Sequence, residues 1–289
     1  ASAGDALTDA DQNVAVGYLA LSADTLGSKS TALGQGTLKV QNFTTATDPY
    51  NTAVGYQAGT AVTTGTQNTI LGGLAGDALT DADFNVAVGT SALSADTLGS
   101  RAVAIGRKAL FTQNFTTATD NYNTAVGFSA GEAITTGVNN TLLGALCGDS
   151  MTTGANNVGV GVHAIGNATL TGDDNTAVGF NAGSSTTSGA NNLYLGHDAA
   201  ITGSPGGNRT SDSNGICFGD ENITVAHIQV SLTVASDERD KTDFVDLDLG
   251  LDFVKALEPV TYYWDKRSKY GDKYADDYDL NAQTPDGTH

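Results

Sequence analysis

"NVAVGYLALSADTLGS" occupies residues 13–28, and "NVAVGTSALSADTLGS" occupies residues 85–100, an offset of 72. "QNFTTATD" repeats at the same offset, starting at Gln41 and again at Gln113. A shorter period lies inside this one. The phrase "NVAVG" recurs in variant form twelve times, ending each time in glycine: Gly17, Gly34, Gly55, Gly72, Gly89, Gly106, Gly127, Gly144, Gly161, Gly179, Gly196 and Gly219. Most steps between successive glycines are of 17, with longer ones after Gly34, Gly106, Gly161 and Gly196. Three steps of 17 and one of 21 make the 72-residue unit. A fixed short period of this kind is the signature of a solenoid.

Each position of the phrase has a physical reading. The second is Val, Thr or Ile in eleven of twelve cases, with Leu193 the exception, and the fourth is always aliphatic or Phe. Alternate residues share one face of a strand, and β-branched side chains suit a pleated surface. The third position is Ala in seven cases and the fifth is always Gly. That face is nearly bare and lets another backbone approach closely. The first position is Asn in nine cases. Asn tolerates left-handed angles at a turn, and stacked Asn side chains can bond along a ladder. Runs such as "TTGTQN" and "TTGVNN" before it supply turn chemistry. Glycine is too frequent for helix, and no 3.6-residue period survives.

A 17-residue coil has room for two short strands and two turns, or for three very short strands. It encloses a thin core, so three chains packed along an axis are expected, with the bare Ala/Gly face inviting the close contact. Twelve coils at strand spacing predict a rod of about 55–60 Å. The fold class is all-β: a trimeric parallel β-solenoid of about twelve short coils, with a small α+β segment after it.

Composition narrows the function. The net charge is −19, yet charged residues are only 16% and hydrophobic ones 39%. Such a chain can bury a core and is not a charged disordered segment. Lys and Arg number six before Ser236, too few for a basic stripe, so no nucleic-acid partner is expected. No apolar run approaches a membrane span, and no membrane insertion is expected. "ASAGDALTDA" at Ala1 is not a signal peptide. It parallels "LAGDALTDA" at Leu74, so the chain opens inside a repeat and further residues are expected before it. Cys147 and Cys217 occupy slots that other coils fill with small residues, and read as buried free thiols. His163, His197, His227 and His289 are scattered, and neither a metal site nor a cofactor is expected. Asp5, Asp9, Asp11, Asp77, Asp81 and Asp83 cluster in turns without the spacing of a calcium loop, and read as solvated turn residues.

The segments from "NTAVGYQAG" at Asn51 to "AVAIGRKAL" at Ala102 resemble the head repeats of trimeric autotransporter adhesins and related repeats of phage tail fibres. The resemblance covers about residues 13–219 and implies a trimeric left-handed parallel β-roll. After Gly219 the pattern breaks. "ITVAHIQVSLTVA" alternates as a strand-rich neck would. Then come Ser236, Asp237, Glu238, Arg239 and Lys241, followed by "LGLDFVKALEPVTYYW", which reads as a short helix ended before Pro259, a strand and the single Trp264. This tail resembles the intramolecular chaperone auto-processing domain of phage tail spikes and fibres, of the endosialidase type.

That second resemblance implies scission between Ala235 and Ser236, with Ser236 as nucleophile and Lys241 as its base. The chemistry is sound in itself. A serine hydroxyl needs a base to take its proton, and a lysine serves only when its pKa is lowered. Asp240 stands where the family has an apolar residue, and a carboxylate there raises a lysine pKa. The expected domains are a solenoid at 1–222, a neck at 223–235 and the N-terminal part of the chaperone at 236–289. The expected function is structural and receptor-binding: a homotrimeric phage tail fibre on the virion that attaches to a glycan or protein on the host surface. Its only chemistry is single-turnover self-cleavage. A bacterial surface adhesin and a glycan-depolymerising spike are the alternatives. An ice-binding solenoid would need Thr-x-Thr on every coil, which the repeats lack.

Overall fold

The computed structural model describes residues 2–166 and 168–227. Two units divide the chain, Ala1–His227 and Ile228–His289, and the description concerns the first. Its elements are β1 (Val14–Val16), β2 (Thr31–Leu33), β3 (Thr52–Val54), β4 (Thr69–Leu71), β5 (Val86–Val88), β6 (Gly99–Ser100), β7 (Val103–Ile105), β8 (Thr119–Asp120), β9 (Thr124–Val126), β10 (Thr141–Leu143), β11 (Val158–Val160), β12 (Thr176–Val178), β13 (Leu193–Leu195) and β14 (Ile216–Phe218). No helix occurs among the described residues.

Twelve of these strands form one parallel sheet in chain order, β1-β2-β3-β4-β5-β7-β9-β10-β11-β12-β13-β14. Each is the centre of one "NVAVG" phrase, paired in register with the next, as in Val86↔Val103, Ala87↔Ala104 and Val88↔Ile105. The fold is therefore the parallel β-solenoid expected, climbing one coil per phrase. The coil is simpler than expected, with only one regular strand, three residues long, in most coils. The remaining sides are tight turns. Among the described residues a second ladder forms only beside the one longer step in each copy of the repeat unit, as β6 with β8 and as an isolated bridge Gly27↔Thr47.

Asn builds the corner before nine of the twelve strands of the main sheet. Asn68 Nδ2 donates to the Ala82 carbonyl at 2.7 Å, while its Oδ1 accepts from the Asn85 backbone N–H at 2.9 Å. Asn85 does the same for Gly99 and Ala102. The column is buried and satisfied, as buried amides must be. The left-handed residue at this corner is not the Asn but the one before it. Gln12, Lys29, Tyr50, Gln67, Phe84 and Arg101 all have φ between 53° and 65°. The turn accepts varied side chains there, while the Asn is needed for its two bonds.

The third position points into the coil: Ala32, Ala53, Ala87 and Ala104 are fully buried. The fifth-position glycines face the backbone of the following coil. A Cβ on Gly127 would meet the Gly144 carbonyl carbon at 2.5 Å, and φ there is +148°. So the bare face does receive a close backbone, but that backbone is the chain's own next coil. The thin core is filled out by Leu21, Leu38, Leu93, Leu110, Ile134 and Met151 from the turns. Large and small residues complement one another along the axis. A Cβ on Gly159 would lie 2.6 Å from Cys147 Sγ and 3.2 Å from Leu142 Cδ2, so the glycine makes room for the leucine of the preceding coil. Both cysteines are free and buried, and burial pushes the Cys147 thiol up to about 12.

Candidate interaction face

With the third position turned inward, the second and fourth positions face out. Apolar residues therefore line the outer surface of the sheet at every level. Val16 is 53% exposed, Leu33 44%, Ile105 37% and Phe218 60%. Because the strands stack in register, the fourth-position side chains form one continuous column along the axis. The second-position column, mostly Thr and Val, runs beside it. Sequence reasoning found the alternation but assigned the close-packing role between chains to the opposite face. The missing information was which face closes on its own chain.

Two further exposed columns flank this stripe. The left-handed residue before the Asn carries Tyr50, Phe84 and Tyr122, and the residue after the Gly carries Tyr18, Tyr56, Phe128 and Phe180. Cations stack on the first column. The Arg101 guanidinium lies 4.6 Å from the Phe84 ring centroid and 6.0 Å from that of Tyr122. Its Nε donates to Asp120 Oδ2 at 2.9 Å, and that hydrogen bond raises the Arg101 pKa. Lys29 repeats the arrangement one long repeat earlier, bonded to Asp48 and 5.4 Å from the Tyr50 ring centroid. Both cations are thus neutralised locally, and the basic residues of the solenoid form no stripe.

The longer coils of the repeat unit hold a buried network that sequence reasoning did not identify. Asp96 Oδ1 accepts from the backbone N–H groups of Gly99 and Phe115, each at 3.0 Å, and Oδ2 accepts from Gln113 Nε2 at 2.6 Å. Gln113 Oε1 in turn accepts from Asn123 Nδ2 at 2.8 Å. Asp24, Gln41 and Asn51 form the same chain of bonds one long repeat earlier. The signal was present: Asp, Gln and Asn recur together at the offset of the long repeat. The acidic turns are used in a similar way. Asp81 accepts from Thr64 Oγ1, Asp83 from Thr66 N–H and Oγ1, and Asp77 from Ser94 Oγ, each bond crossing to the adjacent coil.

Ser236, Lys241 and the Ala235–Ser236 bond lie outside the described residues, as do most of the neck and all of the chaperone segment. Of the neck, Ile223 to His227 is described and carries no strand. No helix among the described residues is long and apolar enough to cross a membrane. The family described as the chaperone of endosialidase matches residues 236–282. No curated protein and no solved structure matches the chain. The chain therefore joins a parallel β-solenoid with an exposed apolar face to a segment similar to the chaperone of endosialidase.

Proposed function

We propose that this chain is part of a homotrimeric phage tail fibre or spike that attaches the virion to a host surface, and that the segment from Ser236 on belongs to a chaperone that assembles it. The observation that carries the reading is the chaperone match C-terminal to a long solenoid in the same chain. A chaperone of this kind answers a particular difficulty. Three chains with twelve near-identical coils can pair one coil out of step at little local cost, as flat repetitive strands do. A C-terminal clamp that brings the three chains together in register removes that error.

The apolar face supports the same reading. It repeats at every level along the sheet, and the partner that matches such a period without gaps is another copy of the chain. Three copies around an axis bury the second- and fourth-position columns together, and closed symmetry leaves no face over. Exposed apolar patches of this extent mark interaction surfaces. The flanking aromatic columns and the turns stay at the outside, where a receptor is met.

After assembly the clamp is cut away. Ser236 attacks the carbonyl carbon of Ala235 while Lys241 takes its hydroxyl proton. The peptide bond breaks and its nitrogen, that of Ser236 itself, leaves with a proton as the new amino terminus. Water then hydrolyses the resulting ester and frees the Ala235 carboxylate. The test is purification of the chain with its chaperone segment and sequencing of the products from their N-termini. It should yield a fragment whose first residue is Ser236, and Ser236→Ala and Lys241→Ala should each stay whole. A cut at another bond, or an unchanged cut in Ser236→Ala, would remove this mechanism. Asp240→Leu should speed the cut, because the neighbouring carboxylate favours the charged lysine.

A further inference from the structure

His197, Asp198 and Asp220 meet at the last two coils. His197 follows Gly196 just after β13, Asp220 follows Gly219 just after β14, and the pairing of the two strands brings the two residues to adjacent levels. Asp198 is left-handed, with φ at 52°, which turns its side chain back beside the histidine. One donor atom from each lies within 4.8 Å of the others, and they are the one such group of three among the described residues.

The distances are informative. His197 Nδ1 lies 3.3 Å from Asp198 Oδ2 and 3.4 Å from Asp220 Oδ2. Both exceed the roughly 2.7–3.2 Å of a well-formed N–H···O bond. A single Nδ1–H facing both carboxylate oxygens can form a short, linear bond to only one of them. Two donors about 2.1 Å from a tetrahedral ion stand about 3.4 Å apart, which is the spacing of both His–Asp pairs.

The surroundings hold the three groups in place. The His197 ring stacks on Phe180, with centroids 5.4 Å apart and planes 14° apart. Asn181 Nδ2 donates to Asp198 Oδ1 at 3.0 Å. Asn222 donates its backbone N–H to Asp220 Oδ1 at 2.9 Å and its Nδ2 to Oδ2 at 3.0 Å. Outer partners of this type orient metal ligands and tune their affinity.

We propose that His197 Nδ1, Asp198 Oδ2 and Asp220 Oδ2 bind a divalent transition-metal ion of the zinc class, with water completing the coordination. The ion ties the twelfth coil to the eleventh across the longest step in the solenoid, that from Gly196 to Gly219. That is where a tie is most useful. β14 pairs on one side only among the described residues, and the terminal coil of a stacked array needs a cap.

The test is calorimetric titration of the whole chain with Zn²⁺, repeated with Co²⁺, whose visible spectrum reports coordination number. One ion per chain is expected, with a four-coordinate cobalt band. His197→Ala and Asp220→Ala should each weaken binding about 100-fold, and Asn222→Ala about tenfold, while His163→Ala changes nothing. His197→Gln, which keeps a polar side chain at the stack, should fold with an unaltered circular dichroism spectrum and still lose the cobalt band. Absence of stoichiometric uptake overturns the proposal. So does uptake that survives in both His197→Ala and Asp220→Ala, since that is cation binding by the acidic surface at large.

Discussion

A carboxylate with no cation bonded to it is fully buried at Asp96, and its copy at Asp24 is buried as deeply. Three donors make this tolerable, two of them backbone N–H groups that would otherwise be stranded in the longer coil. Asp96→Ala leaves all three unpaired and should cost on the order of 3 kcal/mol. The cost should depend on pH. Burial pushes the Asp96 carboxyl above its ordinary 3.8, outweighing the hydrogen bonds from Phe115, Gln113 and Gly99. Protonation therefore favours the folded chain. The stability that Asp96 supplies is full below the unfolded pKa and shrinks as pH rises through the folded one. Denaturant unfolding of both proteins should show the deficit of Asp96→Ala growing on acidification from neutral pH towards the ordinary carboxyl range and levelling off below about 4. A deficit that shrinks on acidification would mean that the folded chain prefers the charged form.

At the scale of the element, the coil works because its glycines let successive backbones touch. Gly127→Val puts a branched side chain against the Gly144 carbonyl and at a φ that L residues rarely adopt. Overpacking and backbone strain together should cost on the order of 3 kcal/mol or more. Because the obstacle is the chain's own next coil, the loss should appear even in a monomeric preparation, as a lower thermal midpoint. An unchanged midpoint would mean that neighbouring coils can separate freely at this level. Much of the element was legible in advance. Periodicity located all twelve strands of the main sheet, because one coil must repeat its inward and outward choices. The left-handed corner was placed one residue late, since Asn commonly takes such angles but here serves as an internal brace.

In the trimer proposed above, the exposed apolar face is the surface between copies. Ile105→Asp and Val126→Asp should each reduce the mass measured by light scattering from three chains towards one. Both side chains point away from the coil's own core, so the strand content seen by circular dichroism should be kept. Thr136→Asp, an exposed turn residue off this face, should leave the mass unchanged. Trimers that tolerate both aspartates would show that the copies meet through another surface.

The twelvefold phrase by itself determined a solenoid, its parallel register and the position of every coil, because each phrase carries all the local information its coil needs. It also marked the tail, where Ser236 to Lys241 and the "LGLDFVKALEPVTYYW" that follows break the period. Tertiary structure decided what periodicity leaves degenerate. A two-residue alternation specifies two faces but not which one encloses the core, and only closure of a short coil around Ala and Gly settled that. The sequence repeated Asp96, Gln113 and Asn123 at the long offset without showing that they bond to one another, and the meeting of His197 with Asp220 was invisible in order along the chain. Side chains a whole coil apart in sequence become neighbours only when one coil is laid on the next.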